Sequence, residues 1–221
     1  MKLFDTTLLH ELSILKAHLG NPQSSTSLGT RNQSSVHDLD EILTACTRSL
    51  RMIQGLRNRQ GKIFFVNTNP RAAELIRHTA TAMNQSFINE AWVGGSLTNW
   101  KQVSHSIVGV QRLTTHFQEL VQTHSLPKYE HARKKFEGIR PGEFPDLLIL
   151  TARNLSEHAL LLQEAKTYKI PVFCLGDDRF GQFKTPSARE SIEYFLPGNT
   201  ESLEFLYFYL NLVVVCWTRP L

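Results

Sequence analysis

"KIFFVNTNPRAAELI", Lys62 to Ile76, is the stretch that decides the fold class of this chain. Its apolar run, residues 63–66, lacks polar alternation, which is typical of a strand buried on both faces of a parallel sheet. A polar turn follows, in which Asn69 can cap a helix and Pro70 suits the first helical position. The stretch therefore predicts a strand, a short turn and a helix, the repeating unit of an α/β fold.

Strands and helices alternate along much of the remaining chain. Asn199 or Thr200 is the predicted cap of the last helix. Such alternation predicts an α/β fold, with a parallel sheet, right-handed crossovers and helices on its faces. The further predicted strands are residues 86–92, 145–152, 170–176 and 192–197, and the further predicted helices are residues 156–169 and 198–213.

The first part of the chain is predicted as two helices joined by a polar loop. Leucines spaced for one face predict a helix from about Asp5 to His18. The stretch from Gly20 to Ser35 is rich in Ser, Asn, Gly and Pro, so we expect a mobile connection rather than a packed element. Behind it, Asp38 and Glu41 form a capping-box pattern ahead of an amphipathic helix.

One segment, Lys101 to Glu137, breaks the alternation of strands and helices. Apolar residues at helical spacing run through its first half, and Pro127 marks a turn before a second, basic helix. It is predicted as an inserted helical hairpin. The expected domains are therefore residues 1–100 with 138–221 as the α/β unit, and residues 101–137 as the hairpin.

The net charge of the 221 residues is +4, but the charge is unevenly placed. Residues 48–78 carry seven Lys or Arg against one acid, and residues 101–140 carry seven against three. Residues 141–221 have a surplus of three acids. This asymmetry favours a polyanion on one side of the molecule, and solvated helix faces are the alternative interpretation.

Motifs for nucleotide binding and catalysis are missing. The turn after the first predicted strand is NTNP rather than GxGxxG, and the chain contains no GxxxxGK[ST]. Ser96 does not stand in a GxSxG elbow, and the histidines lack HExxH or HxxxH spacing. We expect no catalytic residue and no cofactor.

Metal-site and membrane signals are weak as well. Asp177 and Asp178 follow a predicted strand at the edge where α/β sheets bind ligands, but no third ligand is apparent, so we interpret them as structural. The three cysteines lie far apart, which argues against a disulfide framework or a zinc site and fits a reducing compartment. The apolar run from Leu203 to Trp217 is shorter than a bilayer span and is predicted as a buried terminal helix.

A family resemblance is carried by Gly61 to Val103, "GKIFFVNTNPRAAELIRHTATAMNQSFINEAWVGGSLTNWKQV". This stretch resembles the central signature of the bacterial and organellar small-subunit ribosomal protein S-two family, and Trp92 to Asn99 is its most specific part. The resemblance covers nearly the whole chain. The other agreeing pieces are residues 15–20, 37–50, 144–152, 169–178 and 195–208, which include Pro145-Asp146 and the Pro197-Gly198-Asn199 turn.

The resemblance implies a Rossmann-like (flavodoxin-like) sheet flanked by helices, with a projecting helical hairpin. It also implies a structural role in the small ribosomal subunit, in contact with ribosomal RNA and neighbouring ribosomal proteins, without a small-molecule substrate or a membrane. The competing hypothesis is a Rossmann-type nucleotide-binding enzyme or regulator. That hypothesis requires a pocket near Asn67, Thr68 and Asp177.

Three departures from the family pattern make the chain resemble a mitochondrial member of the family. A polar loop, residues 21–35, replaces a basic, aromatic one, the hairpin is shorter, and Asp177-Asp178 replaces a Thr-Asn turn. Because the resemblance starts near Met1, we expect synthesis inside the organelle. A plastid or bacterial protein is the alternative.

The resemblance and the charge pattern together give candidate RNA-binding residues. Trp92 and Trp100 are both open either to stacking on a base or ribose or to packing in the core, and we interpret Trp92 as packed. Thr98 or Asn99 is expected to cap the first hairpin helix, behind glycines that let backbone pack closely. The acidic carboxyl third is expected to face solvent or a basic ribosomal protein. The RNA candidates are Arg57, Arg59, Lys62, Arg71, Arg77, Asn99, Lys101, Arg112, Arg133, Lys134, Lys135 and Arg140.

Overall fold

A computed structural model of the chain describes residues 2–20, 28–32, 34–116, 136–151, 158–176, 192–200 and 202–219. In chain order the elements of these ranges are α1 (Lys2–Ile14), β1 (Leu19–Gly20), β2 (Gly29–Arg31), β3 (Ser34–Val36), α2 (Leu39–Asn58), β4 (Ile63–Asn67), a 3₁₀ turn (Pro70–Ala72), α3 (Ala73–Met83), β5 (Ser86–Ile88), α4 (Trp100–His116), β6 (Leu147–Thr151), α5 (Ala159–Tyr168), β7 (Val172–Gly176), β8 (Tyr194–Pro197) and α6 (Leu203–Thr218).

A five-stranded parallel sheet forms the centre of the described structure. Its strand order is β5-β4-β6-β7-β8, and every neighbouring pair is parallel. All residues of β4, β6 and β7 are buried, which explains their continuous apolar sequences. The expected α/β fold with a parallel sheet flanked by helices is therefore confirmed.

Helices cover both faces of this sheet. Phe65, Ile149 and Phe173 point to a core shared with α1, α2, α3 and α6. Phe64 and Leu148, their neighbours along the strands, belong to a second core shared with α4 and α5. We call these the α2 layer and the α4 layer. They form because successive strand residues face opposite sides of a sheet, so that each side needs its own cover.

The α2 layer contains a buried polar link between two helices. Tyr209 of α6 donates its hydroxyl proton to Ser49 Oγ of α2 at 2.8 Å, and Ser49 Oγ donates to the Cys46 carbonyl at 2.7 Å. Burial raises the pKa of Tyr209 well above its usual value, so the phenol stays protonated as a donor. The terminal apolar run is thus a packed helix, as expected. None of the helices in the described ranges is both long and apolar enough to cross a bilayer.

The amino-terminal region differs from the sequence-based prediction. Helix α1 ends at Ile14 rather than His18, because Lys16 adopts a left-handed φ of 52° typical of helix ends. The described residues of the expected mobile loop pair in a three-stranded antiparallel sheet, β1-β3-β2. Strands of two or three residues are too short to show a periodic pattern, which is why the sequence did not reveal them.

Two of the predicted caps also need correction. Asp38 caps α2, but its Oδ1 accepts from Asp40 N at 2.9 Å rather than from Glu41 N. Helix α6 is capped by Ser202, whose Oγ accepts from Phe205 N, and not by Asn199 or Thr200. The Asn199 side chain instead stabilises the turn before α6, since its Oδ1 accepts from Ser202 N at 3.2 Å.

The other predicted features of the chain have mixed outcomes. The Asn69 cap is confirmed, because Asn69 Oδ1 accepts from Arg71 N at 3.1 Å. Helix α4 supplies the first half of the predicted hairpin. The second half falls in residues 117–135, outside the described residues, so the division into domains stays a prediction.

Candidate nucleic-acid interface

The glycine pair before α4 binds a carboxylate of the chain itself. Gly95 N and Leu97 N donate to the two carboxylate oxygens of Glu164 in α5, at 2.6 and 2.8 Å. Gly95 has a φ of +87°, which favours glycine, and a side chain at Gly94 would press against Leu160. These two amides are therefore not available to a phosphate, and the loop is a structural joint between α4 and α5.

Aromatic side chains fix the same joint from the sheet side. The Phe64 ring meets Trp92 edge-on at 5.9 Å between centroids and Trp100 at 6.1 Å. The packing interpretation of Trp92 is confirmed. Trp100 is only 8% exposed, so of the two roles left open for it the structure supports packing in the core. The Trp100 ring packs in the core and is not accessible to a partner.

Backbone bonds set the start of α4. The Asn99 carbonyl accepts from Val103 N at 3.0 Å, so Asn99 holds the cap position. Thr98 Oγ1 turns back and donates to the Gly95 carbonyl at 3.1 Å, and therefore does not cap the helix. The Asn99 side chain itself is exposed. It remains placed to meet a partner.

An open groove of about 880 Å³ runs beside α4, and we call it the α4 groove. Two of the RNA candidates, Asn99 and Lys101, line it. Its floor carries Phe144 and Tyr168, which are 37% and 43% exposed and meet edge-on at 5.6 Å. The groove therefore offers aromatic faces next to a cation. Its other lining residues are Leu97, Thr98, Trp100, Gln102, Ser104, His105, Val108, Pro141 and Gly142.

Four of the predicted RNA-binding cations are engaged within the chain. Arg57 Nη1 donates to the Arg219 carbonyl at 2.9 Å, and Lys62 Nζ pairs with Glu143 at 2.9 Å. Arg77 lies 3.5 Å from Glu137 and 3.8 Å from Glu74. Arg140 Nη2 donates to Asn84 Oδ1. These side chains stabilise contacts between elements, which weakens their candidacy as RNA ligands.

Three other candidates are exposed without a salt bridge to any acid in the described part of the chain. They are Arg59 at the end of α2, and Lys101 and Arg112 on α4. Arg71 is exposed in the 3₁₀ turn after β4. Arg133, Lys134 and Lys135 lie outside the described residues.

The exposed cations are divided between the two helical layers. Arg59 belongs to the α2 layer, whereas Lys101 and Arg112 belong to the α4 layer. The sequence had favoured a polyanion on one side of the molecule. The structure instead separates the two basic blocks by the sheet, because the chain enters α2 and α4 on opposite faces.

The competing nucleotide-site hypothesis concerns the carboxyl edge of the sheet. Asn67 Nδ2 donates to the Asn69 carbonyl and to Asn89 Oδ1, and Thr68 Oγ1 lies 3.2 Å from His158 Nε2. Burial lowers the pKa of His158 to about 4, so it is neutral at physiological pH. Asn67 and Thr68 are therefore held by neighbouring residues.

Asp177 and Asp178, the remaining part of that hypothesis, fall outside the described residues. Among the residues that are described, no cluster of three or more His, Cys, Asp or Glu side chains could hold a metal ion. Saturable binding of a nucleotide by the isolated chain at physiological salt would favour the competing hypothesis.

Comparison with known proteins gives a consistent result. Residues 17–217 match the family model described as Ribosomal protein S2. The chain is 29% identical to "Small ribosomal subunit protein uS2m" of Marchantia polymorpha over 84% of this chain and 78% of that protein. It is 29% identical to the uS2 protein of Baumannia cicadellinicola, over 94% and 93%, and 30% identical to that of Vibrio cholerae, over 83% and 76%.

Proposed function

Because the chain belongs to the ribosomal protein S2 family, we propose that it binds ribosomal RNA and neighbouring proteins within the small subunit of mitochondrial ribosomes. Proteins of this family are structural. The chain is accordingly a constituent of the small ribosomal subunit that serves translation, and it is not an enzyme.

The observation that best supports an RNA contact is the row of exposed cations on α4 together with the aromatic rings of the α4 groove. Lys101 and Arg112 are eleven residues apart, which is three helical turns, so they lie on one face of α4 about 16 Å apart. Cations at this spacing can neutralise separate phosphates of one RNA strand. The exposed rings of Phe144 and Tyr168 can take an unpaired base beside them.

The mitochondrial assignment is supported by two observations. The Marchantia relative has a name that marks it as a mitochondrial protein, although the bacterial relatives are equally similar in identity. The polar segment that replaces the family's basic loop is the second observation. A plastid or bacterial protein is the alternative, and fractionation of cells with a tagged chain separates the three compartments.

The carboxyl third of the chain is proposed to face solvent or a basic ribosomal protein. Glu193 and Glu204 are exposed there, and the exposed apolar side chains Leu203, Tyr207 and Val215 lie along α6. An acidic surface repels RNA and attracts a basic partner. Cross-linking of assembled subunits through Glu204 would identify that partner.

Neutralising both α4 cations with Lys101→Gln and Arg112→Gln should weaken binding to salt-washed small subunits. Each lost phosphate contact lowers the slope of log affinity against log salt by about 0.7 to 0.9, so the double variant should lose about 1.5. Binding titrations at several salt concentrations measure this slope. Arg77→Gln is the matched control, because Arg77 is already paired with Glu74 and Glu137. An unchanged slope in the double variant would remove α4 from the RNA contact.

A further inference from the structure

Helix α2 presents a face of exposed arginines on the opposite side of the sheet from the α4 groove. Arg48, Arg51 and Arg59 are exposed, and within the described part of the chain none of their guanidinium groups pairs with an acid or a backbone carbonyl. Their spacing of three and eight residues places them on one side of the helix. Of these three arginines, only Arg59 is among the RNA-binding residues predicted from the sequence.

Gly55 lies on the same side of α2, between Arg51 and Arg59. A Cβ at this position would have nothing within 4 Å among the residues that the structure describes, so packing against those residues does not require glycine. By contrast, a Cβ at Gly138 would lie 2.5 Å from the Phe87 carbonyl oxygen, a contact that excludes any side chain. Glycine inside a helix is less stable than alanine, so its presence at position 55 calls for a reason outside the fold.

Close approach by another molecule is such a reason, because a helix without a side chain lets a partner's backbone come nearer. Helix α4 shows the same combination. No atom of the described residues lies within 4 Å of a Cβ placed at Gly109, and this glycine lies one turn from the exposed Arg112. In the described part of the chain, a helical glycine without a close neighbour therefore lies beside an exposed arginine on both layers.

We propose that Arg48, Arg51, Gly55 and Arg59 form a second RNA-binding face, which receives the phosphate backbone of ribosomal RNA along α2. The arginines span eleven residues, or about 16 Å of helix, which suits successive phosphates better than a single acidic side chain. The exposed Asp40 and Glu41 at the start of α2 repel phosphate and restrict the contact to the later turns.

This inference rests on the proposed function, since it takes the partner to be RNA of the small subunit. The arginines would position the protein by charge and shape and would not read bases. A basic face could also receive an acidic segment of a ribosomal protein. A cross-linker on this face would capture RNA in the first case and protein in the second.

The test uses the full chain and small subunits from which the protein has been washed. A triple variant, Arg48→Gln with Arg51→Gln and Arg59→Gln, should bind about tenfold or more weakly, with a salt slope lower by about 2 to 3. Gly55→Leu adds bulk without changing charge and should also weaken binding. Gly55→Ala should raise the Tm of the isolated chain by about 1 to 4 °C, because alanine stabilises a helix interior.

Controls separate this face from general effects. Asp40→Asn changes a charge on the same helix and should not weaken binding, and Ala82→Leu adds bulk on the exposed side of α3 and should keep affinity within about twofold. Thermal melts of each variant confirm that it is folded. A photo-cross-linking amino acid at Thr44, one turn from Arg48, should capture ribosomal RNA.

The outcomes are distinct. If the wild-type chain bound the washed subunits and the triple variant bound them with the same affinity and salt slope, the α2 face would be overturned. The proposed function would remain intact. Capture of a protein instead of RNA from position 44 would overturn RNA as the partner. If the wild-type chain failed to bind the washed subunits at all, the proposed function and this inference would fall together.

Discussion

Replacing Glu164 by alanine is expected to lower the free energy of unfolding by about 3 to 5 kcal/mol. The substitution leaves the amides of Gly95 and Leu97 without their carboxylate, and each hydrogen bond to a charged group contributes about 1.5 to 3 kcal/mol. Glu164 is only 8% exposed, so water cannot readily take its place. Urea denaturation followed by circular dichroism measures the loss.

Glu164→Gln should give an intermediate loss, because the amide keeps one acceptor and turns an N–H group toward a donor. Gln163→Ala is the matched control, since Gln163 is exposed on the same helix and should change stability by less than about 0.5 kcal/mol. A Glu164→Ala variant as stable as this control would show that the carboxylate does not hold the joint before α4.

Phe64→Ala is the second substitution with a large expected effect. Phe64 is 1% exposed and its ring contacts both Trp92 and Trp100, so truncation opens a cavity beneath the joint. The loss from emptying such a site is about 3 to 5 kcal/mol. Tryptophan emission should shift to the red as well, because water gains access to two indole rings. Denaturation followed by fluorescence reports both quantities.

Phe144→Ala provides the comparison for that substitution. Phe144 contacts Trp100 but is 37% exposed, so its truncation should cost about 1 kcal/mol or less. Equal losses in the two variants would contradict the assignment of Phe64 as the buried support of α4. Phe144→Ala also tests the α4 groove, since it should reduce the free energy of RNA binding by more than it reduces the free energy of unfolding.

Local chemistry explains which parts of the fold were predictable from sequence. The apolar run of β4 and the Asn69 cap depend on residues next to one another, and both are confirmed. The link from Glu164 to Gly95 spans 69 residues, and the contact from Arg57 to the Arg219 carbonyl spans 162. Periodicity and residue spacing do not predict a contact between a side chain and a backbone group so far apart in sequence.

The candidate site follows the same rule. Counting charges located the basic blocks, but only the structure shows that Lys62 and Arg77 are paired internally. Lys101 and Arg112 are exposed and form no salt bridge with the residues that the structure describes. Trp100 was open to either role until its burial was known. The glycine pair was expected to let backbone pack closely, but a Cβ at Gly94 would meet the Leu160 side chain, and Gly95 is favoured by its φ of +87°. The carboxylate partner of this loop was not anticipated.

Sedimentation of the tagged chain in a mitochondrial extract on a low-salt sucrose gradient tests most directly whether the protein binds the small ribosomal subunit. We expect the chain to travel with small-subunit ribosomal RNA and to be released to the top of the gradient only at high salt, because its phosphate contacts are salt dependent. Recovery of the chain at the top of the low-salt gradient, apart from ribosomal particles, would contradict this expectation.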